Sequence, residues 1–215
     1  MLGAGTFASM TRYCVEQETP WRVVAFAVDS AWVPGPVHDG LPVVPLESLH
    51  EHWPPDTVRL LAPMGPREAN GLRRRCYEQA KRRGYAFESY VSPRASTWPD
   101  IEHGDNCLVY ERAIIQPRST IGSNVIIRSA AHVSHHCIIG SHAFIAPGAI
   151  LAGNVVVGEQ AFVGVGATVR DGVRIAPRSV VGAGAVLLAD TEPDAVYVGN
   201  PARKAENPPP AAPRA

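Results

Sequence analysis

From Val109 the sequence divides into sixes without a single insertion: VYERAI, IQPRST, IGSNVI, IRSAAH, VSHHCI, IGSHAF, IAPGAI, LAGNVV, VGEQAF, VGVGAT, VRDGVR, IAPRSV, VGAGAV. All thirteen units open on Val, Ile or Leu, and all carry Ala, Ser, Val or Cys in fifth place. Six is the period of neither a helix nor an ordinary strand. It fits a parallel β-solenoid with short flat sides, in which one aliphatic side chain per side points inward, a small residue packs beside it, and Gly, Pro, Asn or Asp turns the corner. Three hexads close one triangular coil of eighteen residues. Residues eighteen apart therefore stack at the spacing of neighbouring strands, about 4.8 Å.

The first ninety residues lack this period. "MLGAGTFASMTRYCVEQ" is a glycine-rich turn followed by a helix-like run, and "WRVVAFAVDS" is a buried-strand pattern ending in Asp29. "LPVVPLESLHEH", "TVRLLAP" and the basic helix candidate "REANGLRRRCYEQAKRRG" follow. Strands alternating with helices imply a small parallel, Rossmann-like α/β domain. The expected division is an α/β nucleotide-sugar-binding domain over residues 1–92, a turn-rich hinge over 93–108, the solenoid over 109–190, and a CoA-contacting segment with a disordered proline-alanine tail over 191–215. Only Met1 and Leu2 precede the first glycine, so the opening strand is unusually short or the chain as given lacks a few starting residues.

The composition excludes several classes. Twenty Lys and Arg balance twenty Asp and Glu, with a pI near 7.1, so neither nucleic acid nor an anionic membrane is an expected partner. No apolar stretch approaches the roughly 20 residues that span a bilayer. The four cysteines lie far apart without a CxxC pair, and the start shows no signal-peptide pattern, so a reducing cytoplasm is expected.

The unbroken hexads, the segments "SHHCIIG" and "ILAGNVVVG", and the closing "VGNPAR" resemble the hexapeptide-repeat acyltransferases. With the α/β domain in front, the chain is similar to the bacterial group that acetylates nucleotide-linked amino sugars, which includes the sialic acid O-acetyltransferases. The resemblance implies a left-handed β-helix, a homotrimer with active sites in the grooves between subunits, acetyl-CoA as donor, and a sugar nucleotide held partly by the front domain. It places the catalytic base on His135. The neighbouring position, acidic in that group, is His136 here, a candidate for tuning the base or touching the acceptor or else a solvated corner residue, and a second imidazole does not raise the basicity of the first as a carboxylate would.

Acyl transfer from a thioester needs a group to take the proton from the attacking amine or hydroxyl, and a donor for the oxyanion that forms. His135 occupies the third hexad position, a corner from which its side chain can face a groove. Eighteen residues on, the repeat stacks Gly153 at the same corner, where a bare backbone N–H can meet the thioester carbonyl. Clustered histidines also raise zinc, but His132, His135, His136 and His142 crowd one coil and no later coil adds a third imidazole, so no metal is expected. Cys137, in fifth place, is expected in the core.

For CoA, the resemblance points to low-profile corners at Gly164, Val165, Gly166, Gly182, Ala183 and Gly184, with Gly153 below them and Arg203 and Lys204 placed to meet phosphates. At the front, "GAGTFA" has a GxGxxA outline in which Gly3 and Gly5 lead into a helix N-terminus suited to a pyrophosphate. Thr6 and Phe7 stand where the related group has Gly-His. Asp29 is placed for a ribose or base and Gly65 lines the same crevice. Arg128, seven residues before His135 where the group has asparagine, suits a carboxylate or phosphate on the acceptor. The reading is therefore an acetyl-CoA-dependent N-acetyltransferase of a nucleotide-linked amino sugar. O-acetylation of a sugar or sialic acid, or a non-catalytic solenoid that binds a ligand, stays open.

Overall fold

The structure, a computed structural model, describes residues 1–206, and the proline-alanine tail lies outside them. A small α/β domain is followed by a left-handed parallel β-helix.

In the front domain, helix α1 (Thr6–Glu18) buries Ala8, Thr11 and Val15, spaced to form one stripe, and ends where Thr19 turns its hydroxyl onto the Val15 carbonyl at 2.8 Å just before Pro20. Strand β1 (Phe26–Val28) pairs in parallel with the strand Leu41–Pro45 on one side, and Ala27 pairs with Leu2 on the other. Leu2 in turn donates its N–H to Leu61 O at 2.8 Å, and Leu60 bridges Phe87 in parallel. Across the sheet the order is therefore Leu41–Pro45, β1, Leu2, Leu60, Phe87, which with Leu2 counted as the first strand is 3-2-1-4-5, and its direction reverses between Leu2 and residues 60–61. The opening strand is a single bridge residue. In α/β sheets of this order ligands bind at that reversal, beyond the carboxyl ends of the strands.

The basic run forms helix α3 (Gly71–Arg82), after the short α2 (Leu49–His52). It starts later than the run itself because Glu68, Ala69 and Asn70 adopt positive φ, which lets the Asn70 amide donate to Gln160 O and Ala161 O of the solenoid at 2.9 and 3.2 Å.

Up to Leu187 the solenoid has three ladders of two-residue strands, parallel and in register at eighteen residues, such as Ile126–Phe144–Phe162, His132–Ile150–Thr168 and Thr120–Ile138–Val156. The opening residues of the hexads from Val109 to Leu187 line its core, none more than 5% exposed; each contributes about 1.5–3 kcal/mol by burial. Every fourth hexad position holds φ between 58° and 71°, and nine of these thirteen are not glycine. Register, more than residue type, imposes the corner.

The ladder also begins earlier than the hexads suggest. Tyr90–Val91 pairs with Leu108–Val109 and Glu102–His103 with Thr120–Ile121. The segment 93–108, expected as a hinge, is thus part of the first coil; its Pro, Trp and Ser residues hide the period without breaking the winding. At the other end Val196–Val198 adds to the first ladder and folds back on Arg203–Lys204.

The front domain covers one side of the triangle. Phe26, Leu108, Tyr110, Ile126 and Phe144 share one apolar cluster with Ala8 and Val15 of α1. Arg73 of α3, fully buried with its pKa pulled down to about 9 by burial, donates to the carbonyls of His142 and Ala143. The other two sides are open, and Ile114, Ile138 and Ile150 stand exposed on them. No helix among the described residues is long and apolar enough to cross a membrane.

Candidate active site

His135, Gly153 and Asp171 occupy successive third positions, eighteen residues apart, on the corner between the two open sides. The His135 ring lies across Gly153. A Cβ built on that glycine would come within 2.5 Å of His135 Cε1 and 2.9 Å of Nε2. Only glycine allows the ring this position. The same Cβ would lie 2.7 Å from Asp171 Oδ2, so the carboxylate of the next coil reaches over the glycine from the other side, steadied by Asn154 Nδ2 at 3.4 Å.

The backbone N–H of Gly153 has no hydrogen-bond partner among the described residues. Most third-position N–H groups share this freedom, and Gly153 itself is buried beneath the His135 ring and the Asp171 carboxylate. That of His135 itself donates to Gln116 Oε1 at 3.1 Å. Gly153 differs in combining a free donor with no side chain and an imidazole edge directly above.

His136 holds a left-handed corner conformation, φ 58°, and its Nδ1 lies 3.1 Å from His135 Nδ1. One of the two nitrogens must carry the proton of that bond. When His135 donates, its proton is on Nδ1 and Nε2 is left as a lone pair on the side of Gly153. In that arrangement His136 serves as the acceptor, a task that needs no charge.

The other histidines are elsewhere. His132 stands on a flat side in register with Ile114 and Ile150, and His142 is buried at the seam with the front domain. No group of three or more His, Cys, Asp or Glu is arranged to hold a metal among the described residues. Cys137 is buried in the core, with its thiol pushed up to about 11 by burial.

Val165 and Ala183 stack on a different corner, above Pro147. Val165 is 55% exposed, and nothing lies within 4 Å of where a Cβ would extend from Gly166 or Gly184, so this corner is low and open. Gly164 and Gly182 have a structural reason instead: a Cβ would strike Ala183 N at 2.6 Å or Val198 Cγ1 at 2.8 Å. Of the two basic residues, Lys204 is paired with Glu192, whereas among the described residues the Arg203 side chain bonds its neighbour's carbonyl, at 3.0 Å. Within one chain the base corner and this corner do not meet.

Gly3, Asp29 and Gly65 each follow the carboxyl end of a front-domain strand or bridge residue. Gly3, with φ +91°, packs against Met64, where a Cβ would lie 3.2 Å from its Cγ, and so brings the first turn beside the segment carrying Gly65. Gly5 caps α1 with no side chain over the free N–H groups of its first turn. Asp29 uses Oδ1 to cap the turn Ser30–Trp32. Arg128 joins this side of the molecule and not the His135 corner. Its guanidinium stacks on Phe7 and Tyr110, 4.3 and 4.8 Å from their centroids, and its Nε is buried without a partner. Phe7, at the place of the missing histidine, thus serves as a platform for Arg128. A cavity of 360 Å³ lined by Trp21, Trp53 and Glu88 lies at the amino ends of the same strands and touches none of the candidate residues.

Asp171 carries no mark of its own in the sequence, although the same eighteen-residue step that links His135 to Gly153 reaches it. In "VRDGVR" it reads as an ordinary turn residue.

A family model described as bacterial transferase hexapeptide (six repeats) matches residues 119–153 and 154–189. No curated protein sequence matches the chain. Among solved structures, the chain is similar to the acetyltransferase domain of PglB from Neisseria gonorrhoeae in complex with acetyl coenzyme A, with 27% identity over 95% of this chain and 97% of that one and a TM-score of 0.83. It is also similar to PerB from Caulobacter crescentus in complex with CoA and GDP-perosamine, with 31% identity over 95% of both chains and a TM-score of 0.84. A mutant of the Caulobacter perosamine N-acetyltransferase with one histidine changed to asparagine, again with CoA and GDP-perosamine, matches at 29% identity over 96% of this chain and 95% of that one, with a TM-score of 0.85.

Proposed function

The chain belongs to the hexapeptide-repeat acyltransferases, and on that premise we propose that it transfers an acetyl group from acetyl-CoA to the amine of a nucleotide-linked amino sugar, with His135 as general base. The carrying observation is the imidazole edge held over Gly153, where a Cβ would lie 2.9 Å from Nε2. His136 keeps the His135 proton on Nδ1, so Nε2 receives the proton of the attacking amine as the N–C bond forms. The Gly153 N–H takes the negative charge on the thioester oxygen as the carbonyl π pair moves onto it. Collapse re-forms the carbonyl, breaks the C–S bond, and sends the Nε2 proton to the leaving sulfur. The balance is amine plus thioester to amide plus thiol.

The donor fits the low corner of Val165, Gly166 and Ala183, with the free donors of Arg203 at hand for a phosphate. The nucleotide fits the crevice of Gly3, Gly5, Asp29 and Gly65, where the open first turn of α1 faces a pyrophosphate. Because the front domain packs on the side opposite the His135 corner, a complete site calls for a neighbouring protomer, and a homotrimer supplies it. Acetyl-CoA and sugar nucleotides place the reaction in the cytoplasm.

The test is release of free CoA thiol across UDP-, dTDP- and GDP-linked amino sugars. The wild type should turn over at least one, and His135→Ala should lower kcat by about 10²–10⁴-fold. Wild-type turnover retained by His135→Ala, or no CoA release with any acceptor and no CoA binding, overturns the reading.

A further inference from the structure

We infer that Asp171 is a specificity-determining residue that selects an amine over a hydroxyl acceptor, an inference that rests on the acetyltransferase reading above. Two proton acceptors flank Gly153: His135 Nε2 and Asp171 Oδ2 lie 2.9 and 2.7 Å from where a Cβ on that glycine would be, so both border the same small patch of the corner. Among the described residues they make neither a hydrogen bond nor an ion pair with each other. Asp171 is exposed on the open corner, and Asn154 Nδ2 donates to the same Oδ2 at 3.4 Å, which leaves that oxygen a second lone pair and Oδ1 both of its own.

A free amine brought against both acceptors from the open side of the corner has a lone pair and two N–H bonds. The lone pair attacks the thioester carbon, one N–H proton passes to His135 Nε2 and on to the departing sulfur, and the other N–H stays on nitrogen into the amide. Asp171 accepts a hydrogen bond from that retained N–H from approach to product. A hydroxyl has one O–H, which His135 takes. Its remaining lone pairs would then face the carboxylate with no hydrogen between them, which is repulsive. One base suffices for an alcohol. A second acceptor beside it matches a nucleophile that keeps a hydrogen. Gly153 acquires a second use in this arrangement, since any side chain there would part the two groups.

The experiment compares nucleotide-linked amino sugars with the same nucleotide sugars bearing a hydroxyl in place of the amine, in wild type, Asp171→Ala and Asp171→Asn. Wild type should favour the amine. Asp171→Ala should lower kcat/KM for the amine by about 10- to 100-fold, leave the hydroxyl acceptor unchanged or improved, and bind CoA as the wild type does. Asp171→Asn, which keeps a carbonyl acceptor without the charge, should recover part of the amine activity. An amine-to-hydroxyl ratio unchanged in Asp171→Ala, or an equal loss on both acceptors, overturns the assignment while the acetyltransferase reading stands. A wild type that releases CoA with no acceptor overturns the acetyltransferase reading, and this inference with it.

Discussion

An alanine at position 153 would place its Cβ 2.5 Å from His135 Cε1 and 2.7 Å from Asp171 Oδ2. Both are ends of exposed side chains that can swing away, so the substitution should leave the fold nearly intact while displacing the base. Gly153→Ala should therefore cost about 10²-fold or more in kcat, as small misplacements of catalytic groups do, with a melting temperature close to that of the wild type. Gly158→Ala is the contrast: its Cβ would meet Pro177 N at 2.5 Å, in the backbone of the next coil, and should lower the melting temperature. An equal loss of stability in both variants would show Gly153 to be a packing glycine. The meeting of His135 and Gly153 was legible in the sequence because the repeat is a ruler, and eighteen residues on is one strand spacing up. Asp171 needed only a second step along it. What the ruler cannot convey is the direction of a side chain at a corner, and so whether a carboxylate bends over the glycine or away into water.

Ladders also run through the seam between the two domains. Asn106 Nδ2 donates to Asn124 Oδ1, and the Asn124 amide pairs with His142 Nδ1 at 2.7 Å, each residue eighteen after the last and each at a left-handed corner. With the Asn124 carbonyl already accepting from Asn106, its NH₂ faces His142, which must accept at Nδ1 and be neutral. Burial holds the His142 pKa below its ordinary value; Glu159 opposes this, whereas Arg73 and Arg74 add to it, and Glu78 raises it weakly. The unfolded chain binds a proton near the ordinary value of about 6.5 while the folded chain resists, so stability should be full above that pH and fall as pH drops below it. His142→Asn continues the ladder without a titrating group. Its melting temperature should fall less between pH 7.5 and 5.5 than that of the wild type; an identical fall would remove His142 from the account. None of this was legible in the sequence, where His142 is one imidazole in a histidine-rich coil. The α/β character of the front and the winding of the rear were both legible from their periods. Their docking depends on Arg73, Asn70 and the turn before α3, which leave no period to read.

The distribution of site residues over the whole molecule makes the strongest demand. His135 stands on the corner between the two open sides, and the corner of Val165 and Ala183 stands a third of a lap away, so under the proposed function one chain would hold halves of two sites and no complete one. If each site joins the His135 corner of one protomer to the Ala183 corner of the next, two inactive variants should complement each other. His135→Ala lacks the base but has an intact donor corner. Ala183→Trp fills the donor corner but keeps its base; position 183 is exposed, so the fold should tolerate the larger side chain. Each alone should release CoA slowly. Mixed, dissociated and reassembled at random, a trimer places an intact base beside an intact donor corner in about one quarter of its sites, and CoA release should rise toward about a quarter of the wild-type rate. A control mixed without dissociation should stay inactive. Activity that never exceeds the sum of the two variants would mean that each chain works alone, and the division of the site between protomers would have to be given up.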